Sequence, residues 1–545
     1  MPEKRRKEET MKKMKKVLAI LLAMAMVLGM SMTTLAAGAG TKPIADDKAT
    51  ATVSNVEAGA TVTAYRIVEP TYNDKGFTGY KLATGVTLAD MLVPTSDEIT
   101  GIAANKTLLA TLENETLTPQ GTTYTAELGA GYWVVIVEGS QIQEVYNPML
   151  VGIYYSVEGS GDANTLVNGT VDANSKWSLN STPAYAKSEQ PTIDKKILNS
   201  DGNESGNDVA IGDTVKFEID TKIPSYSKSY TNVMVKITDT MGKGLTLADP
   251  ANLVVKVNGV EVTAGADTYI YTPDADKKSF EISFASAYAL AHSGEAVVVT
   301  YDAVLGADAG INFDPNTNKA TLEYTNDPSG ETNEIEDETF TYTFGIDANL
   351  FGQGSETWNK FTEELLKTGE IEKVDLGNGT IVERPKRLPG AVFTLTGENG
   401  KVYTATSDDN GYLSFTGLDA GKYTLQETEA PEGYSLNETE IPVEITAEYN
   451  TDGTLKSYVI KVDNKETSTY EATYNGPHTI TNIDCTPGHD NDWSDVSDTH
   501  EIKNTKLSAL PSTGGIGTTI FTVGGCAIMI IAAGLYFASR RKAAK

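Results

Sequence analysis

The chain has 545 residues, 40% hydrophobic and 22% charged, which allows about three or four domains with buried cores. Its 44 Lys and Arg stand against 74 Asp and Glu, a net charge of −30; that balance repels phosphate backbones and argues against nucleic acid as a partner. Two cysteines and four histidines leave too little material for a disulfide scaffold, a structural zinc cluster or most thiol and imidazole chemistry, so neither a cofactor nor a metal is expected.

Both ends read as processing signals. Residues 1–39 have the pattern of a secretory signal peptide: the basic run that opens at Met11, the short apolar stretch Val17–Met30, and the small residues Ala37-Gly38-Ala39. Met11 is an alternative translation start, since the ten residues before it have no part in that pattern. Residues 507–545 hold Leu510-Pro511-Ser512-Thr513-Gly514, then the apolar segment Ile516–Ala538, then Arg540, Arg541 and Lys542. As a helix that segment would span roughly 35 Å, enough for a bilayer, with the basic tail left on the cytoplasmic side. Sequence, segment and tail together resemble the LPxTG cell-wall sorting signal of Gram-positive bacteria. The resemblance implies that a sortase attacks the Thr513 carbonyl, releases Gly514 onward and passes the acyl group to an amine. It also implies transient membrane insertion of an exported protein that ends attached to the wall. Removal of the tail takes Cys526 with it and leaves Cys485 alone.

Between the ends no long segment keeps a 3.6-residue apolar period. Short alternating runs recur instead, such as Val233-Val235-Ile237 and Tyr423-Leu425, separated by turn signals such as Asn399-Gly400 and Asp408-Asp409-Asn410-Gly411. This predicts an all-β chain of three tandem β-sandwich domains, at 40–187, 188–345 and 346–506. Leu88–Leu92 and Glu356–Lys367 read as short helices, and the polar stretch Ser178–Gln190 as an exposed connection between the first two domains. His478, His489 and His500 lack ligand spacing and read as solvated loop residues. No Ser-His-Asp constellation is visible, so turnover chemistry is not expected.

Several residues sit awkwardly on this pattern. Lys195 shares the face of Ile193 and Ile197, and Asp239 that of Val233, Val235 and Ile237. A charge on an apolar face is costly unless it is paired or loses its charge. Asn316, Asn318 and Asn326 all share the inward phase of Leu322 and Tyr324, so phase does not choose among them. Glu427 is in phase with Tyr423 and Leu425.

With these features the chain resembles the major, or backbone, subunits of sortase-assembled Gram-positive pili, the SpaA-type fimbrial subunits with Ig-like and Cna-B-like domains. Trp177 to Ser188, ending Tyr185-Ala186-Lys187-Ser188, resembles the pilin motif, with Ala and Ser where Pro and Asn are usual. Leu425-Gln-Glu427-Thr428-Glu-Ala430-Pro431-Glu-Gly433-Tyr434 resembles the E-box. The resemblance implies that Lys187 is the intermolecular acceptor. It implies autocatalytic isopeptide bonds in two domains: Lys195 to Asn318 promoted by Asp239, with Asn318 favoured by its offset from Leu322, and Lys373 to Asn504 promoted by Glu427, with Lys367 as the alternative lysine. Burial would give the neutral amine and protonated acid that such a reaction needs. The implied partners are a sortase, identical subunits in a covalent homopolymer, minor pilins and peptidoglycan, with a host surface ligand as a further partner. The competing reading is a wall-anchored or ancillary adhesin, which would share these signals but has no need of Lys187.

Overall fold

The computed structural model describes residues 41–139, 142–157, 169–198, 204–348, 364–375, 377, 379–476, 478–486, 500–507 and 516–542. The signal peptide and Leu510–Gly514 lie outside them. The chain divides into two compact units. One holds the residues up to Asn207 with Gly212–Asp308 and Asn316–Thr341; the other holds Asp208–Ile211, Ala309–Pro315 and everything from Tyr342.

Strands dominate both units, as the alternation requires. The first unit begins with two sheets. One runs in the order Val171–Asp172, Gly76–Leu82, Thr61–Asn73, Gly131–Glu138, Met149–Val157, Trp177–Ser181; the other in the order Ala184–Tyr185, Lys48–Ser54, Thr123–Gly129, Thr118–Gln120. Trp133, Val135, Tyr124 and Ala51 are buried in the core they form.

Two sequence expectations fail here. Leu88–Leu92 forms no helix; the helix is Ser96–Ala104, after Pro94. The cause is the capping box of Thr95 and Glu98: the Glu98 N–H donates to Thr95 Oγ1 at 3.3 Å and the Thr95 N–H donates to the Glu98 carboxylate at 2.8 Å. The stretch 178–190 is not a free connection. Trp177–Ser181 pairs antiparallel with Met149–Val157, Ala184–Tyr185 parallel with Lys48–Ser54, and Ser188–Glu189 antiparallel with Val145–Tyr146. Polar side chains on edge strands read from sequence as linker because only one face is apolar.

The same unit holds two further sheets. In one, Asp194–Ile197, Thr214–Lys222, Ala296–Leu305 and Val254–Val257 lie side by side; in the other, Thr332–Tyr342, Asn316–Thr325, Val235–Met241, Ser279–Phe284 and Tyr269–Pro273 do. Inward residues alternate strictly, as in Val297, Val299, Tyr301, Ala303 and Leu305.

The second unit carries a seven-stranded sheet from Val402–Thr406 through Val392–Gly397, Gly421–Glu429, Ile441–Tyr449, Leu455–Val462 and Lys465–Tyr474 to Ile480–Thr486. A three-stranded sheet has Leu365–Asp375 between Ile381–Arg387 and His500–Lys503. Leu365–Lys367 is therefore strand rather than the end of the expected helix, whose earlier residues lie outside the description. The last helix, Ile516–Lys542, covers the expected apolar segment. Among the described residues no helix is long and apolar enough to cross a membrane.

Candidate functional site

Three places bring the expected residues together. The first surrounds Lys187, which is exposed. Its backbone is fixed: the Asn147 N–H donates to the Lys187 carbonyl at 3.1 Å, and the Ala186 N–H to the Ser54 carbonyl at 2.9 Å. Ser188 Oγ donates to the Glu144 carboxylate, and Lys222 pairs with Glu189. The side chain opens on a groove of about 510 Å³ lined also by Tyr185, Asn147, Pro148, Ser96 and Ser227. An amine on a clamped backbone at the wall of an open groove is accessible and pre-positioned.

The second place is the core of the middle sandwich. Lys195, opposite Ile219 in one sheet, has its side chain 0% exposed. Its Nζ bonds to Asp239 Oδ2 and lies 2.6 Å from Tyr301 Oη. Asp239 and Asn318 come from the other sheet, on adjacent strands with Met241 opposite Asn318. Phe217 and Phe280 pack on the Tyr301 ring, with centroids 5.4 and 4.9 Å away. Burial pushes the Lys195 amine below its ordinary value, against the opposing pull of Asp239, and pushes the Asp239 carboxyl up. Both shifts favour the neutral forms.

Of the three in-phase asparagines, Asn318 is the one that reaches this group, with Nδ2 2.8 Å from Tyr301 Oη. Asn316 Nδ2 donates to the Thr341 carbonyl at 3.1 Å. Asn326 Nδ2 donates to the Ile142 carbonyl at 2.7 Å and the Gly139 carbonyl at 3.1 Å, tying the middle strands to those of the first sheets. Tyr301 escaped the sequence reading because an inward tyrosine in a valine-rich strand looks like ordinary core; the pairing of Phe217 with Tyr301 in register is visible only in the folded chain.

The third place lies in the second unit, and here one expectation is corrected. Lys373 is exposed and pairs with Glu383 at 3.0 Å on the neighbouring strand. Lys367 takes the buried position. Its Nζ lies 2.6 Å from Asn504 Oδ1 and 3.0 Å from Glu427 Oε1, and Asn504 Nδ2 donates to the same Glu427 oxygen at 2.9 Å. The other carboxylate oxygen accepts the Asn437 N–H at 2.7 Å. Burial lowers the Lys367 amine from its ordinary value against the pull of Glu427.

The backbone explains why these three meet. His500–Lys503 runs parallel to Leu365–Thr368, with Lys367 opposite Ile502, and the Asn504 N–H continues the ladder to the Thr368 carbonyl at 2.9 Å. Glu427 lies opposite Phe393, whose ring centroid is 5.1 Å from Lys367 Nζ. Gly411 (φ +80°) closes on the lysine from the other side: its carbonyl accepts the Lys367 N–H at 2.7 Å, and a Cβ there would stand 2.7 Å from the Lys367 carbonyl oxygen. The available sequence signal was the phase of Lys367 with Leu365, which repeats that of Lys195 with Ile193 and Ile197.

The remaining histidines show no ligand cluster: among the described residues no group of His, Cys, Asp or Glu is placed to hold a metal ion. His489 lies outside the description. Asp408–Gly411 is a turn, with the Gly411 N–H donating to the Asp408 carbonyl at 2.9 Å.

Comparison with known proteins covers most of the chain. Four family descriptions match in order: T6 antigen Ig like domain over 46–188, Gram-positive pilin backbone subunit 2, Cna-B-like domain over 211–328, Prealbumin-like fold domain over 370–461, and LPXTG cell wall anchor motif over 502–545. The trypsin-resistant surface T6 protein of Streptococcus pyogenes serotype M6 is 30% identical over 570 residues, covering 96% of this chain and 99% of that protein. The solved structure of the T6 backbone pilin of the same serotype, described as modular and three-domain with variable loops and extensions, shares the fold, with a TM-score of 0.57 at 23% identity over 86% of this chain and 100% of that one. A likeness at this identity over almost the full length of both sequences, with the wall-anchor match at its end, means that the chain belongs to the sortase-assembled Gram-positive backbone pilins and is a cell-wall-anchored subunit of a pilus shaft.

Proposed function

We propose that this shaft subunit is joined to its neighbours through Lys187 and Thr513 and is locked internally by two Lys–Asn bonds. The observation that carries the internal links is the repetition of one arrangement: a buried lysine, a buried carboxyl group and a buried asparagine, assembled once in each compact unit from strands distant in sequence. An ordinary ion pair needs no asparagine at the same atoms.

The chemistry uses groups already in contact. A neutral lysine Nζ attacks the asparagine Cγ; the Nζ–Cγ bond forms and the Cγ–Nδ2 bond breaks. Nδ2 leaves as ammonia with its own two protons and one from the amine. Where the carboxyl group touches both nitrogens, as Glu427 does, it passes that proton and polarises the amide. In the second unit the contacts of Glu427 with both Lys367 and Asn504 support this role and favour Lys367 over Lys373. The folded core supplies orientation, and each link forms once, so no turnover is involved.

Between subunits, a sortase thiol would take the Thr513 acyl group and Lys187 Nζ would receive it. The clamped backbone and open groove at Lys187 support this assignment. Domain limits at 187/188 and 345/346 follow from the same reading, since they put the acceptor at the end of the first sandwich. Minor pilins would join through the same sorting chemistry.

The test is intact-mass measurement of the recombinant full chain from a host without sortase. Two bonds lower the mass by two ammonias, and peptide mapping should recover Lys195 joined to Asn318 and Lys367 joined to Asn504. An unmodified mass sinks the internal links.

A further inference from the structure

The two buried arrangements are not equivalent. In the second unit a single carboxylate oxygen, Glu427 Oε1, touches both the amine (3.0 Å) and the amide nitrogen (2.9 Å). In the middle sandwich the acid is aspartate, one methylene shorter, and among the described residues no hydrogen bond joins it to Asn318. The atom that touches everything is Tyr301 Oη. It lies 2.6 Å from Lys195 Nζ, 2.7 Å from Asp239 Oδ2 and 2.8 Å from Asn318 Nδ2. A phenol has one proton to donate and two lone pairs to accept with. Here it donates to Asp239 and accepts from both nitrogens, so its whole hydrogen-bonding capacity is spent on the three reacting groups. Asp239 Oδ1 and Asn318 Oδ1 have no hydrogen-bond partner among the described residues, and among these no other group links the acid to the amide.

We infer that Tyr301 is a catalytic residue of the Lys195–Asn318 reaction, its hydroxyl relaying the proton that Glu427 moves by itself in the other unit. This rests on the isopeptide reading above. As Nζ bonds to Cγ, a proton passes from Nζ to Oη. The hydroxyl turns from Asp239, and the proton already on Oη passes to Nδ2, which accepts it once Cγ is tetrahedral. The Cγ–Nδ2 bond then breaks and ammonia leaves. Tyr301 and Asp239 end as they began; Asp239 accepts the hydroxyl's hydrogen bond and orients it.

Tyr301→Phe removes the hydroxyl and keeps the ring between Phe217 and Phe280. In the full recombinant chain, followed by intact mass and peptide mapping after refolding, the variant should form the Lys195–Asn318 link about 10²–10⁴-fold more slowly than wild type, while the Lys367–Asn504 link forms at the wild-type rate. Linkage of Lys195 to Asn318 at the wild-type rate in Tyr301→Phe overturns the assignment of Tyr301 alone. A wild-type chain with no Lys195–Asn318 peptide overturns the underlying reading instead. Phe217→Leu separates hydroxyl from packing and decides the matter if Tyr301→Phe does not fold. It disturbs the ring stack and leaves Oη in place, so linkage at the wild-type rate is expected, and a folded but unlinked product means that packing, not the hydroxyl, governs the reaction.

Discussion

Nζ of Lys367 lies 2.6 Å from Oδ1 of Asn504, although 137 residues separate them in the chain. Only the parallel pairing of Leu365–Thr368 with His500–Lys503 brings them together. On the proposed chemistry the lysine held there against a buried carboxyl group is the reactant, whereas Lys373, six positions on, is exposed. After allowance for the substituted side chain, Lys367→Met should therefore be one ammonia heavier than wild type, and Lys373→Met should show the wild-type ammonia loss. Gly411→Ala, which would press a methyl group on the Lys367 carbonyl at a positive φ, should cost about 1–2 kcal/mol and slow the same link. A Lys373→Met chain that loses the link would restore the other lysine.

Period-two alternation makes the β-sandwich class legible without coordinates, and Lys195, Asp239 and Glu427 stand out because each is a charged residue in phase with apolar neighbours; Asn504 is named by the family resemblance, from its place before the sorting signal. Sequence reading ranks Lys367 second to Lys373, because Leu365, Leu366, Lys367 and Thr368 are all buried, a strand covered on both faces, where alternation gives no preference. The family resemblance is what favours Asn318; phase alone does not choose among Asn316, Asn318 and Asn326, because choice depends on what the facing sheet presents. Tyr301 was invisible for the same reason.

The exposed acceptor gives the simplest test on cells. Lys187→Ala should abolish the high-molecular-weight ladder of wall extracts while leaving monomer attached to the wall. Because the side chain is exposed, unfolding stability should change by no more than about 0.5 kcal/mol. A ladder of undiminished length in this variant moves the acceptor to another lysine.

Burial of Lys367 has a pH signature that can be read once the link is prevented. In Asn504→Ala the lysine stays free, with its folded value held below the ordinary 10.5 by desolvation. Between the folded value and 10.5 the unfolded chain binds the extra proton, so stability rises with pH through that window and levels above it. Urea midpoints of the second unit should climb accordingly, and the climb should vanish in Lys367→Met/Asn504→Ala. Equal slopes in the two chains would mean that the amine is not the titrating group.

The strand that carries Lys367 is anchored by a pair of buried carboxyl groups. Asp347 Oδ2 accepts the Leu413 N–H at 3.1 Å and Oδ1 the Leu365 N–H at 3.3 Å, while Glu364 accepts the Asp347 N–H at 2.9 Å and the Tyr470 hydroxyl at 2.7 Å. Desolvation, reinforced by the Glu364 charge, pushes the Asp347 carboxyl well above its ordinary 3.8. A raised folded value means that the folded unit holds a proton the unfolded chain has released. Its stabilising contribution is fully present below 3.8 and is lost as pH rises through the folded value, at about 1.36 kcal/mol for each pH unit that separates the folded from the unfolded value. On the unlinked Asn504→Ala background, the denaturation midpoint of the second unit should thus carry a component that falls from acid toward neutral pH. Glu364→Gln removes the neighbouring charge, brings the Asp347 value down and should flatten that fall. Parallel pH profiles for the two chains would show that Glu364 exerts no field on Asp347 and that desolvation alone sets its protonation.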